Sequence, residues 1–310
     1  MNRYKKISSL FVLLRPYSLP GLFLLYYMAF VISTKSLIFT IQTFLYFLPI
    51  LFSWIFMIFL LEAKHKHKNR EKIGYHYPLI TLLIVIGLSS IFSGFNFIIP
   101  LACFLISTCF YIQKNSIKIF GKTSFVFRGT METSLYFLSL AMITNNYFHP
   151  IQILLGIAIL FFTSARNLIG DIRDTKFDEI TFSVSYGNKI AYVIAIIFYF
   201  IALYSLYLIT NGNIYVITPI LLMIIILLFV DNGYILHRLS VLLSTMIISG
   251  MILFFTNNLE LLLLLNLIFL SFIANIVFYD VVPRKSNPYY LDLNISFLAL
   301  RYENKGKEND

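Results

Sequence analysis

Apolar residues dominate the chain in long uninterrupted stretches, with polar residues gathered in the short intervals between them. About ten stretches reach the length needed to cross a bilayer as a helix, about 20 mostly apolar residues each. They cover residues 18–37, 41–61, 78–94, 96–113, 128–145, 149–165, 188–210, 213–231, 237–256 and 259–281. The pattern predicts an all-α, polytopic membrane protein with nine to ten transmembrane helices. No linker or low-complexity stretch divides the chain. Residues 1–287 therefore read as one helical membrane domain, with an extra helix over 259–281 and a polar tail over 288–310.

Composition supports the pattern: 59% of the 310 residues are hydrophobic and 12% are charged, more apolar side chain than one water-soluble core can bury. The net charge of +10 is distributed by topology. Lysines and arginines fill the N-terminus and the intervals 64–72, 114–128, 166–189 and 284–307, whereas the alternate intervals hold only Lys35. No basic face for nucleic acid emerges. Cationic loops stay in the cytoplasm, so the pattern predicts a multi-pass cell-membrane protein with both termini and the long polar loops cytoplasmic. Arg15 and Pro16 interrupt the first apolar run early, which argues against a cleaved signal peptide. Cys103 and Cys109, six apart in one helix, point in different directions and are poorly placed to bridge.

The most polar stretch inside the apolar part of the chain is "RNLIGDIRDTKFDEITFSVSYG", 166–187. Asp171, Asp174 and Asp178 recur three and four apart, the spacing of one helical face. Three carboxylates at a helix end suit a hard cation such as Mg2+, which takes oxygen ligands and is often shared with substrate phosphates. A solvated polar loop, or pairing with Arg166, Arg173 and Lys176, is the simpler alternative.

These residues carry a resemblance. "RNLIGDIRDTKFD" is similar to the second aspartate motif of the UbiA superfamily of intramembrane prenyltransferases, with Arg166, Asp171, Asp174 and Asp178 in register. "TFSVSYGNKIA" resembles the segment that follows that motif, and "LLRPYSLPG", 13–21, the stretch entering the first helix. The resemblance spans about residues 8–256. It implies helices around a central cavity under a cytoplasmic cap, and transfer of an isoprenyl group from its diphosphate to an aromatic or other lipid acceptor. It further implies Mg2+ at Asp171, Asp174 and Asp178, with Asp171 and Asp174 essential to catalysis and Arg166, Lys118 and Lys122 toward the diphosphate.

The family's first aspartate motif is missing. "LEAKHKHKNREK", 61–72, stands in its place, two glutamates against four lysines and one arginine. Three readings stay open: Lys64, Lys66 and His65 contact phosphate in place of a metal; the fold survives as a non-catalytic binder of isoprenoid or phospholipid; or the segment lies against anionic headgroups. Glu132 is unusual at its depth in the fifth run, where it either serves the acceptor as a base or pairs with Arg128 one turn away. A transporter, with carboxylates binding a coupling ion, is the alternative from another class.

Overall fold

The computed structural model describes residues 19–36, 40–64, 74–144, 148–173, 175, 180–230 and 232–256. Every regular element among them is a helix. In chain order they are α1 (Leu19–Thr34), α2 (Ile41–Lys64), α3 (His76–Ser93), α4 (Ile98–Ile112), α5 (Lys118–Lys122), α6 (Ser124–Ile143), α7 (Pro150–Arg173), α8 (Phe182–Tyr186), α9 (Asn188–Thr210), α10 (Ile214–Phe229) and α11 (Gly233–Thr256). Nine of the predicted apolar stretches coincide with helices. The tenth, 259–281, and the tail 288–310 lie outside the described residues.

Five helices are long and apolar enough to cross a membrane: α2, α3, α7, α9 and the Ile235–Thr256 part of α11. The protein is membrane-embedded. Helices α1, α4 and α10 are apolar but shorter; a 16-residue helix such as α1 or α10 spans about 24 Å at 1.5 Å per residue, less than the roughly 30 Å of a hydrocarbon core.

Neighbours in the sequence pack as neighbours in space, and the series α6, α7, α9, α10, α11 closes because α11 packs back on α1. Helices α6 and α7 form the inner pair: α6 touches α1, α2, α3, α4 and α7, while α7 touches α6, α8, α9 and α11. That position explains the composition of α6. A helix surrounded by protein can carry Arg128, Thr130, Glu132, Thr133 and Ser134 without presenting them to lipid, where polar groups are costly.

Glycine brings the inner pair together. A Cβ on Gly129 of α6 would overlap Ser164 Oγ of α7 and come within 2.8 Å of the Leu160 carbonyl oxygen. Small residues allow such close approach where no hydrophobic effect drives helices together in lipid. Elsewhere, hydroxyls along the helices return to the carbonyl four residues earlier, as Ser53 does to Pro49, Thr108 to Phe104 and Ser139 to Leu135, so their polar atoms are satisfied within their own helix.

Two sequence-predicted boundaries move. The sixth apolar stretch was placed at 149–165, but α7 continues to Arg173, two turns further. Arg166 and Asp171 therefore stand on a rigid helix and not in a loop. The fifth stretch was begun at 128, but α6 starts at Ser124, which puts Arg128 and Glu132 one and two turns inside. Hydropathy alone stops at the first cluster of polar residues; intrahelical hydrogen bonding does not.

Candidate functional site

One end of the bundle collects the polar termini. Lys64, closing α2, donates to the side-chain oxygen of Gln113 just beyond α4. The short helices α5 and α8, from the connections after α4 and α7, pack on each other. Their contact is tight at Gly121, where a Cβ would overlap the Ile180 carbonyl oxygen and lie 2.6 Å from that of Lys114. Across the same junction Lys122 Nζ stands 4.7 Å from the centre of the Tyr186 ring and 3.5 Å from its hydroxyl. Thr181 caps α8 by accepting the Val184 N–H at 3.4 Å.

Asp171 lies half-buried in the last turn of α7, 3.5 Å from the buried Ser124 hydroxyl that opens α6. In the same turn, Arg173 Nη1 is 3.3 Å from His237 Nδ1 on α11. Gly233 permits this seam, since a Cβ there would stand 3.0 Å from the Arg173 backbone.

Deeper in the bundle lies a second cluster. Arg166 Nη2 on α7 donates to Glu132 Oε1 on α6, and Arg128 Nε lies 3.7 Å from the same oxygen. The three side chains are 14–18% exposed. The Arg128 guanidinium also rests over aromatic faces, 4.6 Å from the ring centre of Trp54 on α2 and 5.7 Å from that of Tyr111 on α4. Its Nη1 points to Met57 Sδ at 3.7 Å.

The expected pairing of Glu132 with Arg128 is therefore present, joined by Arg166. Of the other sequence-predicted site residues, Lys118 is exposed at the start of α5, while Lys64 and Lys122 take the partners given above. Asp174, Asp178, His65 and Lys66 lie outside the described residues. Among the described residues no three His, Cys, Asp or Glu side chains come together as a metal-holding group. Cys103 and Cys109 are both free thiols at exposed positions.

Comparison with known proteins returned no family model, no curated protein and no solved structure that matches the chain.

Sequence reasoning missed Trp54, Met57 and Tyr111 as the wall around Arg128, and His237 as the partner of Arg173. Nothing in a single sequence marks one aromatic among 32 phenylalanines and 21 tyrosines. His237 carried a usable mark: it is a histidine four residues into α11, at the polar end.

Proposed function

We propose that the chain is an intramembrane prenyltransferase of UbiA type, moving an isoprenyl group from its diphosphate to a lipid-soluble acceptor. The observation that carries the reading is the placing of Asp171 and Arg166 on the last turns of one helix, the carboxylate half-buried at the polar end and the guanidinium turned inward to Glu132. In the reaction the allylic C–O bond breaks and diphosphate departs with the electron pair. The acceptor's nucleophilic atom then bonds the prenyl carbon and gives up a proton.

Asp171, with Asp174 and Asp178, would hold Mg2+. The donors at hand fit it, because the Asp171 carboxylate and the neighbouring Ser124 hydroxyl are oxygens of the kind a hard cation takes. The ion's contribution when bound is to stabilise negative charge on the leaving diphosphate. The chain's own share is electrostatic and spatial. Lys122 and Lys64, at the same end, add positive charge near the leaving group, and the apolar helices shelter the reacting carbon from water. The acceptor approaches from the bilayer, and the polar end faces the cytoplasm of a multi-pass cell-membrane protein.

The test is diphosphate release by protein in native-lipid nanodiscs, given geranyl to longer isoprenyl diphosphates, a lipid extract, and Mg2+ or chelator. Release that needs Mg2+ and disappears in Asp171→Asn and Asp174→Asn is the expected result. Absence of release with retained prenyl-diphosphate binding turns the reading to a non-catalytic isoprenoid binder. The charged cluster inside α6 and α7 favours a second reading, a transporter, since ionisable groups within a bundle commonly line ion paths; flux of an anion across proteoliposomes without diphosphate release would establish it.

A further inference from the structure

Arg128, Glu132 and Arg166 carry two positive charges and one negative in a largely buried place. A net charge held away from water is costly unless something balances it. Arg166 has five N–H donors, and among the described residues only Nη2 makes a hydrogen bond, to Glu132. The remaining donors form the flat fork that matches the oxygens of carboxylate or phosphate.

Two further hydroxyls flank the cluster. Tyr199 on α9 is wholly buried and near enough to Arg166 to feel its charge. Ser240 stands beside it, yet its hydroxyl makes no hydrogen bond of ordinary geometry among the described residues. Tyr136, one turn beyond Glu132 on α6, is likewise wholly buried with its hydroxyl unmatched. Helical side chains lean toward the N-terminus, which tilts Tyr136 toward the turn that carries Glu132. Buried polar groups without partners are rare and mark places where a partner binds.

We propose that Arg166 and Arg128, held side by side by Glu132, form a binding site for the oxyanion head of a membrane-soluble amphiphile. It is distinct from the Asp171 end: Arg166 lies five residues nearer the bundle's middle, about 7.5 Å along the helix. The recognised chemistry is a carboxylate or phosphate on an apolar tail. Glu132 orients the two guanidiniums and lowers their combined charge to one, so a single anionic group neutralises the cluster. Trp54 and Tyr111 form the apolar side of the site beside Arg128. The site stands whether or not the Asp171 end transfers a prenyl group.

Trp54 is the chain's single tryptophan and lies directly beneath Arg128, so its fluorescence reports on this site alone. The full chain in phosphatidylcholine nanodiscs, without Mg2+ or prenyl diphosphate, is titrated with dodecanoate, dodecyl phosphate and dodecanol. The expected result is a saturable Trp54 change with either anion and none with the alcohol. Arg166→Gln weakens it at least tenfold, Arg166→Lys less, and Lys189→Gln, an exposed cation at the same end, leaves it unchanged. If Arg166→Gln fails to fold, the double variant Glu132→Gln/Arg166→Gln removes both charges together and should show the same loss of binding. Nanodiscs containing phosphatidic acid separate the sources: a changed starting signal and blunted titration identify a bilayer phospholipid as occupant, and an unchanged titration identifies a separate amphiphile. No change with either anion, an equal change with dodecanol, or undiminished binding in Arg166→Gln overturns the proposal.

Discussion

Glu132 on α6 accepts a hydrogen bond from Arg166 on α7, and the two side chains meet because Gly129, three residues before Glu132, lets the α7 backbone approach near Ser164. An ion pair deep in the bundle thus depends on a missing methyl group. Helix contact, charge placement and the candidate anion site are linked through this one crossing.

Glu132→Ala leaves two largely buried guanidiniums facing each other without a counter-charge. Loss of one partner from such a pair costs about 3 kcal/mol or more. Thermal unfolding in detergent should fall well below that of the parent, and adding Arg166→Gln to Glu132→Gln should recover part of the loss. A double variant less stable than either single one would show that the carboxylate is not acting as a counter-charge.

Gly129→Ala should destabilise the protein by about 1–3 kcal/mol, the usual cost of overpacking. Adding Ser164→Gly should restore only part, since the Leu160 carbonyl, 2.8 Å from the new Cβ, cannot be trimmed away. Unchanged melting of Gly129→Ala would mean the two helices separate without penalty.

Gly121→Ala acts at the polar end, where the new methyl meets the carbonyls of Ile180 and Lys114. The α5–α8 contact should open while the long helices stay folded. Hydrogen exchange should rise over 114–123 and 180–187 and stay low in α6, α7 and α9. Exchange confined to Gly121 itself would disprove the coupling.

Lys35 lies at the opposite end, its ammonium 3.9 Å above the centre of the Phe255 ring. Burial lowers its pKa from the ordinary lysine value. The folded state then releases this proton before the unfolded chain does, so in the interval just below the ordinary value, about 10.4, the unfolded state binds more protons. Stability contributed by this group should rise with pH through that interval. Lys35→Met should flatten that part of the melting profile, and an identical profile in both proteins would remove Lys35 as its source.

Nine apolar stretches read along the chain became helices because length and hydropathy are local properties, set by the need to satisfy backbone hydrogen bonds within each crossing. The alternation of cations was legible for the same reason: Lys35 does stand at the end opposite Lys64, Lys122 and Arg173. The ends of α6 and α7 were not legible. Polar residues such as Arg128 and Arg166 look like loop until a neighbouring helix gives them a partner, and that partner is a matter of packing. A sequence shows that Glu132 and Arg128 lie one turn apart; it cannot show Arg166, 34 residues away, reaching the same oxygen. Nor can it select Trp54 from the aromatics or pair His237 with Arg173. Local chemistry therefore determined the elements, the membrane character and the candidate residues, while the crossing of α6 and α7 decided which charges share one buried site.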